Sequence, residues 1–479
     1  MEKVCVVICN WNKVQDVLNC AESVFKSSYT HFDVVVVDNG SDPHVLQEVK
    51  AKLPSQVILL ENAENRGGSA GFNRGLRYAL EQGGYGSIWL LDNDVIVDSH
   101  CLEELLKELR SSEKNGMIGS LILQWHFPDL IQELGAQFDP QNYTFRLLLR
   151  NKSIQNAPPE SIVVDYVAAC SLIVDVKKLQ QIGLMDEQFF IYFDDVEWCQ
   201  RFKEAGYGVR ATPHAKVWHK GGGGAKSNSI PRYYEWRNKI YFFLQSIYSE
   251  DELDQFIDRF LVHNLFTLFY GTLRQGKINA FKSVLWATMD AFSGKMGKIQ
   301  SEKILPLDTN VFGSFATEAL EKIEIIADVS CNFKVLQNFL TMQTKLTRPV
   351  PFYKKDMHMA ESFESLLTVT PLHEMTFEHG VLIICDHILS LPSSLEEELA
   401  PILSQKGEQV YYLDDYSNLC KGYHEMSVMR QNYVSLAEFL KKDLRKVLKN
   451  FIVHRSQLAS CRGSALLSAP FLSAFLPRE

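Results

Sequence analysis

The first quarter of the chain alternates short runs of β-branched residues with stretches whose apolar positions recur every three or four residues. Val4–Ile8, Val34–Val37, Val57–Leu60 and Ile88–Leu91 read as strands; Val14–Lys26, the stretch after Pro43 and Ala70–Glu81 read as helices. The strand runs are continuously apolar rather than alternating, which predicts strands buried on both faces. The series is therefore a βαβαβαβ unit with a mostly parallel sheet between two helical layers. Ligands of such sheets collect at the carboxyl ends of the strands. The residues at those ends are Asn10, Asn12 and Lys13; Asp38, Asn39, Gly40 and Ser41; and Asp92, Asn93 and Asp94.

From Met117 to His219 the pattern loosens into shorter predicted strands (Met117–Leu123, Ser161–Val167, Ser171–Val174, Val209–Thr212), as expected of an α+β half that completes a pocket. Between Ser249 and Lys298 the apolar spacing turns helical, through Phe256, Phe260, Leu265, Phe266 and Phe269, with Arg259, Arg274, Lys277 and Lys282 nearby. Beyond Ser301, the runs Ile323–Ile326, Val381–Cys385 and Val410–Leu413, separated by helical stretches such as Ser394–Ser404, predict a second, smaller α/β domain. The expected organisation is thus 1–248, a helical appendage over 249–300, and a C-terminal domain of unknown role over 301–479. Lys441, Lys442, Arg445, Lys446 and Lys449 read as one solvated helix face, with a partner or anionic-membrane contact as the other reading.

At 479 residues the chain is long enough for about three domains, and 46% hydrophobic with 22% charged residues is ordinary globular usage. A net charge of −9 argues against a nucleic-acid partner. The ten cysteines are scattered with no CxxC pair, which predicts a reduced, cytoplasmic setting. Val4–Cys9 is too short for a signal-peptide core and reads as a strand that is retained. Phe260–Leu273, 14 residues interrupted by His263 and Asn264, falls short of the roughly 20 apolar residues a spanning helix needs.

Four constellations carry chemistry. Asp92-Asn93-Asp94 projects two carboxylates from a strand end, hard oxygen ligands that suit Mg²⁺ or Mn²⁺ bridging to phosphates; alone, the triplet is equally a loop cap. Asn65-Arg-Gly67-Gly68-Ser-Ala-Gly71-Phe-Asn73-Arg-Gly75 lies between strand and helix, where glycines let backbone amides approach an anion; a tight turn with close helix packing is the competing reading. It has neither the GxxxxGK[ST] nor a clean GxGxxG form, which disfavours P-loop hydrolase and dinucleotide functions. The aromatic run Phe189–Phe193 delivers Asp194, Asp195 and Glu197; burial among aromatics raises a carboxylate's pKa and suits a general base, while a helix N-cap is the structural alternative. Val217-Trp218-His219-Lys220, followed by Gly221–Gly224, puts a histidine at the end of a strand before a segment able to close over a ligand, a candidate third metal ligand.

In order along the chain, Asn10-Trp-Asn12, Val37-Asp38-Asn39-Gly40-Ser41, the Asn65–Gly75 motif, Leu91-Asp92-Asn-Asp94, Phe193-Asp194-Asp195-x-Glu197-Trp198 and Trp218-His219-Lys220 resemble the family 2 inverting glycosyltransferases, in particular the rhamnosyltransferase and galactofuranosyltransferase branch. Tyr233-Tyr234-x-x-Arg237-Asn238 and Gly294-Lys295-Met296-Gly297-Lys298 extend the resemblance to about residue 300. It implies a GT-A fold. It further implies donor contacts at Asn10, Asn12, Lys13, Asp38, Asn65, Gly67, Gly68, Asn73, Asp92 and Asn93, with Asp38 on the pyrimidine base. A divalent metal is implied at Asp92, Asp94 and His219, Asp195 as general base with Asp194 beside it, and acceptor contacts at Glu197, Trp198, Tyr233 and Arg237. Neutral Asn93 stands where some relatives carry a third acid, and Lys13 where some carry Arg.

The implied reaction is single-displacement transfer of a rhamnose- or galactofuranose-like sugar from a dTDP or UDP donor to a growing, lipid-linked cell-surface polysaccharide. It would run in the cytoplasm, with peripheral contact at the inner face of the membrane. Two other classes remain open from the residues: a catalytically silent assembly protein of a polysaccharide machinery, disfavoured because Asp92, Asp94, Asp195 and His219 are all present, and a nucleotidyltransferase.

Overall fold

The computed structural model describes residues 2–140, 143–221, 229–245, 247, 249–262, 264–265 and 278–306, and six strands between 324 and 421. In their described parts these form two compact units, one of Met1–Ser246 with Ala287–Ile304 and one of Ile247–Trp286 with Leu305–Leu467.

The first unit opens with the series the valine runs predict: β1 (Lys3–Asn10), α1 (Val14–Phe25), β2 (Phe32–Asp38), α2 (Pro43–Lys52), β3 (Ile58–Glu61), α3 (Gly68–Gln82) and β4 (Tyr85–Asp92). β3, β2, β1 and β4 lie side by side in parallel. Their side chains alternate between two cores: Cys5, Val7, Val35 and Val37 pack under α3, while Val4, Val6, Ile8, Val34 and Val36 pack under α1. Both faces being covered is why these strands tolerate no polar alternation.

Six short strands and two longer ones follow, together with three helices: β5 (Val95–Val97), α4 (Cys101–Arg110), β6 (Asn115–Gln124), β7 (Ile131–Glu133), the hairpin β8 (Ala136–Asp139) and β9 (Thr144–Leu147), β10 (Ile162–Val163), β11 (Ser171–Asp175), α5 (Val176–Ile182), α6 (Asp194–Glu204) and β12 (Gly208–His219). The sheet order is β10-β12-β6-β11-β4-β1-β2-β3, with β11 antiparallel between β4 and β6. This large, mostly parallel mixed sheet is the GT-A arrangement that the motifs implied. β12 is one twelve-residue strand whose pairing with β6 slips between Thr212 and Lys216, around Pro213. The proline and the slip split its hydrophobic pattern, so the sequence shows only the piece Val209–Thr212 as strand. β10 keeps two of the seven residues expected at Ser161–Val167.

The glycines of the 65–75 motif do close packing. A Cβ on Gly75 would sit 2.2 Å from Val7 Cγ1, and one on Gly71 2.3 Å from Cys9 Sγ, so α3 lies on β1 at a distance only glycine allows. α7 (Ile230–Gln245) precedes the stretch expected to be helical; after Ser249 the periodicity appears as α8 (Glu250–Phe256) running into a π-helical turn at Ile257–Leu261, then α9 (Ile278–Phe292). Phe266, Phe269, Tyr270, Arg274, Lys277 and Gly222–Gly224 lie outside the described residues.

The second unit contains a six-stranded sheet ordered β15-β14-β13-β16-β17-β18: β13 (Glu324–Ala327), β14 (Val350–Lys354), β15 (Leu367–Val369), β16 (Val381–Cys385), β17 (Val410–Asp414) and β18 (Leu419–Lys421). All pairs are parallel except β17 with β18. Three of these strands are the predicted runs. The Ser394–Ser404 stretch and the basic run at 441–449 fall outside the described residues. Among the described residues no helix is long and apolar enough to cross a membrane.

Candidate active site

The carboxyl ends of β1, β2 and β4 form one rim, and a chain of side-chain hydrogen bonds runs along it. Asp38, fully buried, accepts from the Ser41 amide (2.9 Å), the Ser41 hydroxyl (2.7 Å) and Asn10 Nδ2 (3.3 Å). Asn10 Oδ1 in turn accepts from Asn93 Nδ2 at 2.8 Å. Asn12, in the left-handed region at φ 54°, donates its amide to Ser41 Oγ (2.8 Å) and accepts from the Asp42 amide (2.7 Å). Asp38 therefore fixes the turn after β2 and links it through Asn10 to the acidic triplet. Lys13 remains partly exposed, 3.9 Å from Asp16.

The glycine loop is tied to the same rim. Asn39 Nδ2 donates to the Gly67 carbonyl (2.8 Å), and Asn65 Oδ1 accepts from the Gly67 amide (2.8 Å). Gly67 has φ +93°, and a Cβ there would lie 2.2 Å from the Phe190 carbonyl oxygen; Gly68 begins α3. Asn73 is buried in α3 and holds the Met185 backbone at both ends, Nδ2 to the carbonyl (2.8 Å) and Oδ1 from the amide (3.0 Å).

Antiparallel pairing of β5 with β12 sets His219 opposite Val95, and so beside Asp94. His219 Nε2 lies 3.2 Å from Asp94 Oδ1 and 3.8 Å from Asp92 Oδ2, while Gln132 Nε2 lies 3.2 Å from its Nδ1. One ligand atom from each of the three residues falls within 4.8 Å of the others. Two carboxylate oxygens and an imidazole nitrogen match the hard-to-borderline donor set that takes Mn²⁺ or Mg²⁺. The electrostatics agree. Enclosure in the cleft, reinforced by Asp94 and Asp195, pushes Asp92 up to about 6 against the pull of His219, although 40% of its side chain is open. Burial works against a charged His219, yet Asp94, Asp92 and Glu133 outweigh it and hold the imidazole above its usual range. A cluster that draws a proton onto its imidazole has excess negative charge, which a cation can neutralise instead.

Facing this cluster is the start of α6. Asp195 is half-buried; its Oδ2 accepts from the Ala169 amide (3.1 Å) and Tyr166 hydroxyl (3.3 Å), and its Oδ1 from the Val196 amide (3.0 Å). Asp194 is buried, and burial together with the charge of Asp195 pushes it up to about 8. Burial raises Asp195 as well, opposed by those three donors. The donors favour the charge on Asp195 rather than on Asp194, where burial favours the proton.

The turn delivering these acids is strained. Phe190 (φ 68°), Tyr192 (φ 65°) and Phe193 (φ 66°) are all left-handed, a conformation costing roughly 1–3 kcal/mol per non-glycine residue. Asn238, fully buried on α7, holds it: Nδ2 lies 2.8 Å from each of the Phe189, Ile191 and Tyr192 carbonyls. Arg237 adds a bond to Phe189 O at 3.2 Å.

Residues 5–154 match the family model described as Glycosyl transferase family 2. The first unit carries a family 2 glycosyltransferase domain. Over 201 residues the chain is 22% identical to the low-salt glycan biosynthesis hexosyltransferase Agl10 of Haloferax volcanii, covering 42% of this chain and 62% of that one. Over 275 residues it is 26% identical to the dTDP-rhamnosyl transferase RfbF of Shigella flexneri, covering 55% and 87%. Among solved structures it is similar to GalNAc-T7 with UDP, GalNAc and Mn²⁺, with TM-score 0.42 and 15% identity over 54% of this chain and 50% of the other.

Within the glycosyltransferase domain, the remaining predicted residues divide. Glu197 is chelated by Arg201 (2.7 and 2.9 Å), which also holds the Ile182 and Leu184 carbonyls. Trp198 is wholly buried, with its indole N–H on the Gly183 carbonyl (2.9 Å). Both anchor α6 to the end of α5. Tyr233 and Arg237 are buried on α7 and line a cavity that Asp92, Asp94 and His219 do not line. Two residues escaped sequence reasoning: Asn238, visible only as part of a motif, and Glu133, a buried carboxylate on β7. Glu133 Oε1 has no hydrogen-bond partner among the described residues, and burial with the charge of Asp195 pushes it up to about 7. No local pattern marks Glu133, whose neighbours come from β12 and α6.

Proposed function

We propose that the chain is an inverting glycosyltransferase that moves a sugar from a nucleoside-diphosphate donor to a hydroxyl of a glycan acceptor, with Asp195 as general base. The observation that carries this reading is a three-ligand cation cluster at the strand ends and, in electrostatic interaction with its Asp92, a carboxylate fixed by two backbone amides and a tyrosine. A divalent cation on Asp92, Asp94 and His219 would act as a Lewis acid toward the departing diphosphate. The rim from Asn12 through Ser41 to Asn93 would seat the nucleotide. Asp195 accepts the acceptor hydroxyl proton as that oxygen bonds to the anomeric carbon and the bond to the diphosphate oxygen breaks, inverting the configuration in one displacement. Its raised pKa brings a carboxylate nearer to working pH, where a base is most effective.

The rhamnosyltransferase relative favours dTDP-rhamnose as donor, and the branch resemblance adds UDP-galactofuranose. The acceptor is a lipid-linked polysaccharide at the inner face of the membrane, reached by peripheral contact. The test is a nucleotide-sugar screen, with and without Mn²⁺, that follows donor-dependent release of nucleoside diphosphate. Asp195→Asn is expected to keep donor affinity and lose about 10²–10⁴ in turnover; an active, folded Asp195→Asn protein refutes the base assignment. Pyrophosphate release would instead mark a nucleotidyltransferase, and binding without turnover a silent assembly protein.

A further inference from the structure

A second cavity, of about 670 Å³, lies within the first unit and is lined by the glycine loop, the turn at 187–190, α7 and the Gly294–Lys298 motif. None of the cation-cluster residues lines it. Its volume is within the range of small-molecule sites. Five cationic side chains line it against three carboxylates. Each carboxylate is already engaged: Glu64 with Lys298 (3.3 Å), Glu187 with Arg66 (3.1 Å), and Asp290 with Lys303 and the Tyr233 hydroxyl. That leaves Arg237 and Lys295, neither with a carboxylate at ion-pair distance among the described residues.

Arg237 is the unusual one, because it is 1% exposed. Its hydrogen bonds go to neutral oxygens, those of Gly297 (2.8 Å), Phe189 (3.2 Å) and Asn238 (3.0 Å), and its guanidinium stacks on Tyr233 and Tyr234 at 5.3 and 4.8 Å. Burial pulls its pKa below the usual arginine range. A buried charge is costly unless paired, and an oxyanion matches a guanidinium fork.

We propose that this cavity binds a phosphate-bearing ligand, with phosphate or diphosphate oxygens between Arg237 and Lys295, at a site separate from the metal-held donor diphosphate. The proposal does not rest on the transferase reading, because it needs no metal and no turnover. It gives the Gly294-Lys295-Met296-Gly297-Lys298 motif a role: Gly297 supplies a carbonyl to Arg237, and Lys295 the second cation.

The test is calorimetric titration of the full chain with inorganic pyrophosphate in EDTA. Binding is expected to weaken about tenfold or more in Lys295→Glu and in Arg237→Lys, which keeps the charge but loses the fork. It should be unchanged in Lys13→Ala, on the donor rim, and in Lys26→Glu, an exposed control at the residue after α1. No metal-free binding at millimolar pyrophosphate overturns the proposal. So does binding that Lys13→Ala removes and Lys295→Glu leaves intact, or an equal loss in Lys26→Glu. Vesicles distinguish the source of the phosphate. Pelleting with phosphatidylglycerol but not phosphatidylcholine, competed by pyrophosphate and lost in Lys295→Glu, assigns it to a lipid headgroup. Pyrophosphate binding without pelleting assigns it to a water-soluble phosphate.

Discussion

Replacing Asn238 by alanine should disable the proposed sugar transfer without touching the donor. The side chain lies 2.8 Å from three consecutive-turn carbonyls; Phe189 O would keep Arg237, but Ile191 O and Tyr192 O would lose their partner. Ile191 and Tyr192 are partly exposed, so water takes up part of the loss, and each lost hydrogen bond costs about 0.5–1.5 kcal/mol. The left-handed Tyr192 and Phe193, each strained by roughly 1–3 kcal/mol, would then relax, carrying Asp194 and Asp195 with them. A displacement of about 1 Å at a reacting group costs on the order of 10² in rate, which is about 2.8 kcal/mol of barrier. The prediction is a kcat about a hundredfold lower, measured as nucleoside diphosphate release. The donor Kd, measured calorimetrically with Mn²⁺, should change less than about twofold, since among the described residues Asn238 hydrogen-bonds Arg237, Phe189, Ile191 and Tyr192 and no donor-rim residue. A folded Asn238→Ala protein with near-normal kcat refutes the positioning role. A donor Kd that weakens in parallel with kcat points to general loosening of the fold instead.

Three further outcomes follow from the same geometry. Asp94→Asn should weaken Mn²⁺ and nucleotide binding together, because it removes the carboxylate 3.2 Å from His219; calorimetry showing unchanged nucleotide affinity with Mn²⁺ contradicts the cation cluster. Gly67→Ala should lower stability by about 2–4 kcal/mol in thermal melts, from a Cβ 2.2 Å from Phe190 O in a backbone at φ +93°, and a neutral effect would mean the two loops are not in contact. Asp194, pushed up to about 8 from an unfolded value near 3.8, binds its proton more tightly when folded. Wild-type stability should therefore fall as pH rises through that window. Asp194→Asn should flatten the decline in melting temperature between about pH 4 and 8, and an unchanged pH profile would count against a buried, protonated Asp194.

Much of this was legible in the sequence where one local pattern carries one structural fact. Val4–Ile8 and Val34–Val37 are apolar on both faces because both faces are covered, and the acids that follow them fall at strand ends by topology. The Asn65–Gly75 motif showed where glycine was needed, but not that Gly71 and Gly75 answer to Cys9 and Val7, or Gly67 to the Phe190 carbonyl. Glu197 and Trp198 looked like acceptor contacts because they share a motif with Asp195. In the structure Arg201 pairs with Glu197, and the Gly183 carbonyl accepts from the Trp198 indole N–H. Asn238 and Glu133 act through partners more than 40 residues away or on other elements, which spacing cannot reveal. β12 was divided in reading because Pro213 and the pairing slip interrupt its alternation.

The contact of Gly67 with Phe190 makes two distant stretches of chain one mechanical part. Chimaeras that transplant the aromatic turn from a relative, in order to graft a new acceptor preference, would have to bring the matching segment around residue 67 with it. Exchanged singly, either piece would meet a backbone cut to a different shape, so modular swapping in this enzyme should respect that seam rather than the order of residues along the chain.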